Sequence, residues 1–318
     1  MSLKEITIEI TQQCPNQCVH CSSLSCTYKT FSLSFEKITE LVEDAVSLGC
    51  KSVNLSGGEP FVHPEIMQIV DFIYKQGLQC SIYTSGICFV GGQPDTVPSK
   101  ILLALRGKVT KYIVNVESSD AETYDRIMGT SFNGFFLMKQ FIHNAVAQGE
   151  VVEAHFVPMK PNYKQIPDVV NMCTEMGVSK VSFLRFVAQG RGLNNERDLL
   201  LGEEELNEAR ELMNECRAIN AAGVRLGIPF LEREKRINCL TSISKLNIRY
   251  DGNVYPCEAF KNDQPDNRPH APADNVETRH LIDIYQKSKY LIEIRSWLES
   301  FQQVDTCETC FAQYLMKL

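Results

Sequence analysis

A run of strand-then-helix units fills the first two thirds of this chain, and no other feature restricts its fold as much. Ile6, Ile8 and Ile10 alternate with polar residues, the period of a strand with one apolar face. An amphipathic helix is predicted over 34–49, with Ile38, Leu41, Val42, Ala45 and Leu48 on one face and Gly49 as its stop. The pairing recurs. Strands are predicted over 52–56, 80–84, 111–116, 151–157 and 180–186, and helices over 64–77, 99–105, 135–149, 163–177 and 203–223. Successive units of ~30 residues imply parallel strands joined by right-handed crossovers, which curl into a complete or partial barrel. Six units predict an α/β fold, a partial (β/α)6 barrel of the TIM type.

Past residue 223 the pattern changes. Short strands are predicted over 224–228, 246–249 and 253–255, the last after the turn Asp251-Gly252. A loop rich in Pro, Asn and Asp spans 261–277, and a helix is predicted over 281–301. The expected division is a barrel over 4–222 and a small α+β domain over 223–318.

With 44% hydrophobic and 22% charged residues in 318, the chain carries enough apolar surface for a large core. A net charge of -7 argues against attachment to nucleic acid or acidic lipid through a basic field. No apolar run nears the ~20 residues of a membrane span. A cytoplasmic protein without nucleic-acid or membrane partners is expected. In that compartment thirteen cysteines, an odd number, are better explained as metal or iron-sulfur ligands than as disulfides.

Cys14, Cys18 and Cys21 form a C-x3-C-x2-C run in the loop after strand one, at the carboxyl end of the sheet where barrel enzymes build their sites. Three thiolates can hold three corners of a cubane 4Fe-4S cluster and leave the fourth iron open. A zinc ion in their place would need a fourth ligand, for which Cys26 and His20 are at hand. Ser56-Gly57-Gly58-Glu59-Pro60 follows strand two. Its glycines allow a close backbone approach, Glu59 offers an acceptor for an ammonium, and Pro60 fixes the turn. Taken alone, the same segment is a tight turn opening a helix.

Together these motifs resemble the radical S-adenosylmethionine (radical SAM) superfamily over residues 4 to about 200. His20 stands where a ring usually precedes the third cysteine, and the Gly-Gly-Glu-Pro run matches the family segment that holds the cofactor's amino group. The resemblance implies further cofactor contacts from Ser85 after strand three, Asn115 and Glu117 after strand four, and Arg185 on strand six, the last as partner of the cofactor carboxylate. It also implies the chemistry: reductive cleavage of S-adenosylmethionine to a 5'-deoxyadenosyl radical, which abstracts hydrogen from a substrate C-H bond.

Cys239, Cys257, Cys307 and Cys310 follow with spacing Cys-x17-Cys-x49-Cys-x2-Cys. Four thiolates suit a second cluster or a structural zinc equally by spacing. The arrangement resembles the twitch domain, a shortened SPASM domain, which implies one auxiliary 4Fe-4S cluster and two clusters in all. Three functions are compatible with this reading. The first is modification of a ribosomally made peptide by dehydrogenation, cross-linking or epimerisation. The second is oxidation of a sugar or cyclitol, and the third an inactive iron-sulfur or zinc binding protein. The substrate is thus a peptide or a small molecule, and an external electron donor such as flavodoxin or ferredoxin is expected. Strand one begins at residue 4, which weakens the peptide reading without excluding it, because a separate partner or the auxiliary face could bind a leader.

Overall fold

The computed structural model describes residues 2–220, 223–227, 230, 239–261 and 272–302. In chain order its elements are β1 (Glu5–Thr11), α1 (Phe35–Ser47), β2 (Ser52–Gly57), α2 (Ile66–Lys75), β3 (Gln79–Thr84), β4 (Ile87–Val90), β5 (Gln93–Thr96), α3 (Ser99–Leu105), β6 (Lys111–Asn115), α4 (Ala121–Met128) and α5 (Gly134–Ala147). They continue with β7 (Val152–Phe156), α6 (Ile166–Glu175), β8 (Lys180–Phe183), α7 (Arg191–Asn194), α8 (Glu196–Leu199), α9 (Glu203–Ile219), β9 (Val224–Leu226), β10 (Lys245–Ile248), β11 (Val254–Tyr255), α10 (Leu281–Lys287) and α11 (Lys289–Gln302).

Nine strands form one sheet in the order β11-β10-β1-β2-β3-β6-β7-β8-β9. Every neighbouring pair is parallel except β10 with β11. The sheet does not close on itself, and with helices between its strands it makes the expected partial barrel. β9 and β10 come from beyond residue 222 and flank the six expected strands, so the hydrogen-bonded sheet runs across the expected division of the chain. The helix expected over 281–301 is two helices, α10 and α11. Ser288 between them has extended backbone and its Oγ accepts from the N–H of Leu291, which starts a new helix rather than continuing the old one.

The strands obey a strict period of two. Ile6, Ile8, Ile10, Val53, Leu55, Ile82, Val114, Ala154, Phe156 and Phe183 are buried together in the main core. The opposite faces look into the barrel and are polar. In register across the sheet run Lys245, Glu5, Ser52 and Gln79, and, from the end of β3 to the start of β8, Tyr83, the apolar Ile113, Glu153 and Lys180. Where a complete barrel fills its interior with branched aliphatic layers, these residues line an open cavity of about 660 Å³. No helix among the described residues is long and apolar enough to cross a membrane.

Candidate active site: a cysteine-lined cavity above the lumen

At the carboxyl ends of the strands a second cavity opens, lined by Cys14, Cys18, Cys21, His20, Gly57, Gly58, Glu59, Ser85 and Asn115 among others. Ser56 and Tyr83 line both cavities, so this one stands directly on the lumen. Residues scattered over more than a hundred positions of sequence therefore meet at one place.

The loop that carries the three cysteines is bracketed by backbone contacts. Gln17 and Val19 donate their N–H groups to the carbonyls of Met128 and Ile127 at the end of α4, at 3.1 and 2.9 Å. From α7, the N–H of Arg191 reaches the Cys21 carbonyl at 3.0 Å, its Nε the Cys18 carbonyl at 2.8 Å, and its Nη2 the Ser25 carbonyl at 2.6 Å. Cys14 is buried, while Cys18 and Cys21 are half-buried, and all three are free thiols. Burial pushes the Cys14 and Cys18 thiols well up, and the neighbouring cysteines add to it. They become thiolates when a metal supplies the compensating charge. Two sulfurs on one zinc stand at most about 4.6 Å apart. Among the described residues, the one set of three His, Cys, Asp or Glu ligand atoms within 4.8 Å of one another is Glu40, Asp44 and His280. The three loop thiols are spread wider than a single ion gathers.

Gly57 and Gly58 have their close approach, though to the chain itself. A Cβ on Gly57, whose φ is +133°, would stand 2.2 Å from the Thr11 carbonyl oxygen, and one on Gly58 2.1 Å from that of Gln13. This contact seats the N–H of Glu59 on the Gln13 carbonyl at 2.9 Å and fixes the motif beside the cysteine loop. Pro60 then opens the short 3-10 turn Pro60–Val62.

Glu59 is 1% exposed. Its Oε1 accepts from Thr84 Oγ1 at 2.6 Å and from the N–H of Phe61 at 3.3 Å, and its Oε2 from the N–H and Oγ of Ser85 at 2.8 and 2.7 Å. Burial outweighs those bonds and pushes its carboxyl up to about 7. Every donor is neutral, and among the described residues no cation pairs with this buried carboxylate. Ser85, expected to face the cofactor, thus also orients Glu59, and Thr84 shares that work.

Glu117 does not line the cavity but stands behind His20, with Oε1 3.6 Å from Nε2 and Oε2 accepting from the N–H of Val157 at 3.0 Å. Burial raises Glu117 to about 8 and lowers His20 to about 4, Arg191 adding to the second effect. Burial thus disfavours the charged form of both partners in this contact. Arg185 is half-buried beyond β8 and is not among the cavity-lining residues. Arg191, six residues on, is among them, as is Lys261. Sequence reasoning gave neither a site role, although Arg191 lies in the noted run Gly190-Arg191-Gly192.

Three cavity-lining groups are buried with no hydrogen-bond partner: both amide atoms of Asn16, Nδ1 of His20 and Oγ of Ser25. Orphaned polar atoms of this kind are rare in a folded interior and mark the place of a ligand. Together with three thiols and a carboxylate without a cation, they fit a 4Fe-4S cluster carrying an amino-acid-bearing cofactor. Of the second cysteine set, Cys239 and Cys257 are half-buried, and burial pushes Cys257 up to about 11. Cys307 and Cys310 lie outside the described residues.

Comparison with known proteins agrees with this geometry. A family model described as the radical SAM superfamily matches residues 8–187, and one described as an iron-sulfur cluster-binding domain, SPASM, matches residues 239–311. The chain is 23% identical over 315 residues to the PqqA peptide cyclase of Xanthomonas euvesicatoria, covering 96% of this chain and 79% of that one. It is 24% identical over 310 residues to that of Streptomyces rochei, covering 95% and 80%. In fold it is similar to Streptococcus suis SuiB bound to S-adenosylmethionine, with a TM-score of 0.76 at 17% identity over 99% of this chain and 74% of that one. It is also similar to native anSMEcpe with bound AdoMet, with a TM-score of 0.71 at 14% identity over 96% and 88%. A family model spanning more than half of the sequence, matched onto a cavity built as that family requires, places this chain in the radical SAM superfamily, with a SPASM-type iron-sulfur domain at its C-terminal side.

Proposed function

We propose that the protein oxidatively modifies a ribosomally made peptide, closing a cross-link within it. The observation that carries the reading is the cavity in which three thiols and a cation-less Glu59 face each other above a polar lumen. The relatives named peptide cyclases, similar over nearly the whole chain, support a peptide rather than a sugar as substrate. Residues 4–222 would hold the first cluster and 223–318 the auxiliary one, ligated by Cys239, Cys257, Cys307 and Cys310.

When bound, the cluster and S-adenosylmethionine supply one-electron reduction and a hydrogen-abstracting group. The chain supplies placement. Cys14, Cys18 and Cys21 hold the cluster, and Arg191 keeps their loop in shape through the Cys18 and Ser25 carbonyls. Glu59 takes the cofactor's ammonium, aimed by Thr84 and Ser85. His20, backed by Glu117, and Asn115 would offer polar contacts to the nucleoside. Tyr83, whose ring stands edge-on to His155 at 5.4 Å, lines both the cofactor cavity and the lumen, so the reacting C-H bond would be presented beside it. Closing a new bond removes two electrons from the peptide. One would leave with the abstracted hydrogen atom; the second would need an acceptor as its proton is lost to solvent, a role that an auxiliary cluster on Cys239, Cys257, Cys307 and Cys310 would supply, with a protein of flavodoxin or ferredoxin type as external redox partner.

The test is anaerobic reconstitution with iron, counting of iron, and detection of 5'-deoxyadenosine under reduction. A short peptide encoded beside this chain should gain a mass loss of two hydrogens. Absence of 5'-deoxyadenosine under reduction removes the enzyme reading, and turnover of a sugar but no peptide removes the substrate.

A further inference from the structure

Four residues after Cys257, a short 3-10 turn, Glu258–Phe260, brings Lys261 back against the first cysteine loop. Its ammonium is buried and lines the same cavity as Cys14, Cys18 and Cys21. It is paired with Glu9 Oε1 on β1 and donates to Ser23 Oγ at 2.9 Å, while Ser23 Oγ itself donates to Glu9 Oε1 at 3.0 Å. The other Glu9 oxygen, Oε2, is buried without a hydrogen-bond partner. Further bonds lock the same seam. Gln12 Nε2 donates to Tyr250 Oη at 2.7 Å and to the Ser23 carbonyl at 3.0 Å, and Arg249 Nη1 to the Lys261 carbonyl at 2.7 Å.

A buried ion pair is a poor way to gain stability, since desolvation consumes most of the attraction and apolar replacements often do as well. This pair is also misplaced for a purely structural strut, because it joins the wall of a cavity meant to hold a charged cluster. Inside such a wall, water screens little, and the potential of an iron-sulfur cluster follows the net charge and hydrogen bonds around it. Among the described residues, Lys261 is the one through which the Cys257 segment reaches that wall.

We propose that Lys261 and Glu9 form a charge couple that sets the reduction potential of the first cluster, the lysine raising it and the glutamate lowering it. Both are positioning residues. This rests on the reading that Cys14, Cys18 and Cys21 hold a 4Fe-4S cluster that binds S-adenosylmethionine. It gives the auxiliary segment an electrostatic hold on the radical-generating site, separate from any passage of electrons between clusters.

The experiment is an EPR-monitored redox titration of the reconstituted full chain, following the cluster whose spectrum changes when S-adenosylmethionine is added. Lys261→Met should move its midpoint to lower potential and Glu9→Gln to higher potential, with the double variant Glu9→Gln, Lys261→Met lying between them near the wild type. Opposite signs are what a merely structural seam would not give. Shifts of the same sign in both single variants, or no shift in either, overturn the charge couple alone. A wild-type chain with no spectral response to S-adenosylmethionine overturns the cofactor reading and this inference with it. If one single variant fails to fold, its neutral double partner still fixes the sign: the remaining single variant must lie below it for Lys261→Met, or above it for Glu9→Gln.

Discussion

Glu59→Gln should make the iron-free protein more stable at pH 8 while destroying cofactor binding. Burial holds the Glu59 carboxyl near 7, above its ordinary 4.5. The folded state therefore binds this proton more tightly than the unfolded chain, and ionisation opposes folding. The penalty is absent below the unfolded value, grows between about 4.5 and 7, and levels off above. At 1.36 kcal/mol per unit it reaches roughly 3 kcal/mol at pH 8 and stays under about 1 kcal/mol at pH 5. Glutamine has no such penalty. Its amide oxygen can take the Ser85 N–H, and its amide nitrogen can donate to Thr84 Oγ1, whose hydroxyl turns to accept. Only the 3.3 Å bond from the N–H of Phe61 is lost, at about 1 kcal/mol. The variant should thus gain about 2 kcal/mol at pH 8 and break even near pH 5, read by urea denaturation of iron-free protein across that range. An offset that does not change with pH, or a variant weaker at pH 8, would refute the argument that this carboxylate is buried without a cation. After reconstitution the same variant should bind S-adenosylmethionine at least ~100-fold more weakly, since the cofactor's amino group loses its carboxylate partner.

Gly58→Ala forces a Cβ to within 2.1 Å of the Gln13 carbonyl oxygen. It should cost about 3 kcal/mol in thermal denaturation and halve iron retention, because the displaced backbone belongs to the cysteine loop. Cys18→Ala should lower iron by about four per chain and abolish 5'-deoxyadenosine, while the auxiliary cluster's spectrum persists. Arg191→Met removes two charge-assisted bonds to the loop carbonyls. A loss of about 3 kcal/mol is expected, with Arg191→Lys in between, and equal stability of all three proteins would count against the bracket. Thr84→Val keeps the shape of the β3 end but takes one donor from Glu59. Cofactor affinity measured by equilibrium dialysis should fall about tenfold with iron content unchanged.

How much of this was legible in the sequence depended on how local each signal is. The period-two alternation of Ile6, Ile8 and Ile10 gave β1, and Ser34, whose Oγ accepts from the N–H of Lys37, marks the start of α1. The motif Gly-Gly-Glu-Pro stood out because two glycines and a proline restrict the backbone on their own. A hairpin and a helix are among the elements that escaped notice despite local signals. Gly91-Gly92 closes the β4–β5 hairpin, and Asp120, accepting from the N–H of Thr123, caps α4 just before the bracket on Gln17 and Val19. What no local signal carries is pairing over long separations. β10 lies parallel to β1 across some 240 positions, and Lys261 meets Glu9 across 252. Each of those contacts is decided by the curl of the whole sheet.

The polar lumen shows why the chemistry was more readable than the substrate. Inward positions such as Glu5, Asn54, Ser81, Lys111, Glu153 and Arg225 read in sequence as the solvated face of a strand, and a half-exposed sheet would show the same alternation. Only the curl of the whole sheet turns that polar side into the lining of a cavity, so its sequence is ambiguous between surface and binding site. Cysteine spacing is less ambiguous, because one loop keeps three thiols within eight residues of one another wherever it lies. It follows that substitutions in the lumen, for example Arg225→Gln, should alter which peptides are turned over without altering iron content or cofactor affinity. Competition between peptides at fixed enzyme measures that, and a change in iron content instead would mean that the lumen supports the fold rather than the substrate.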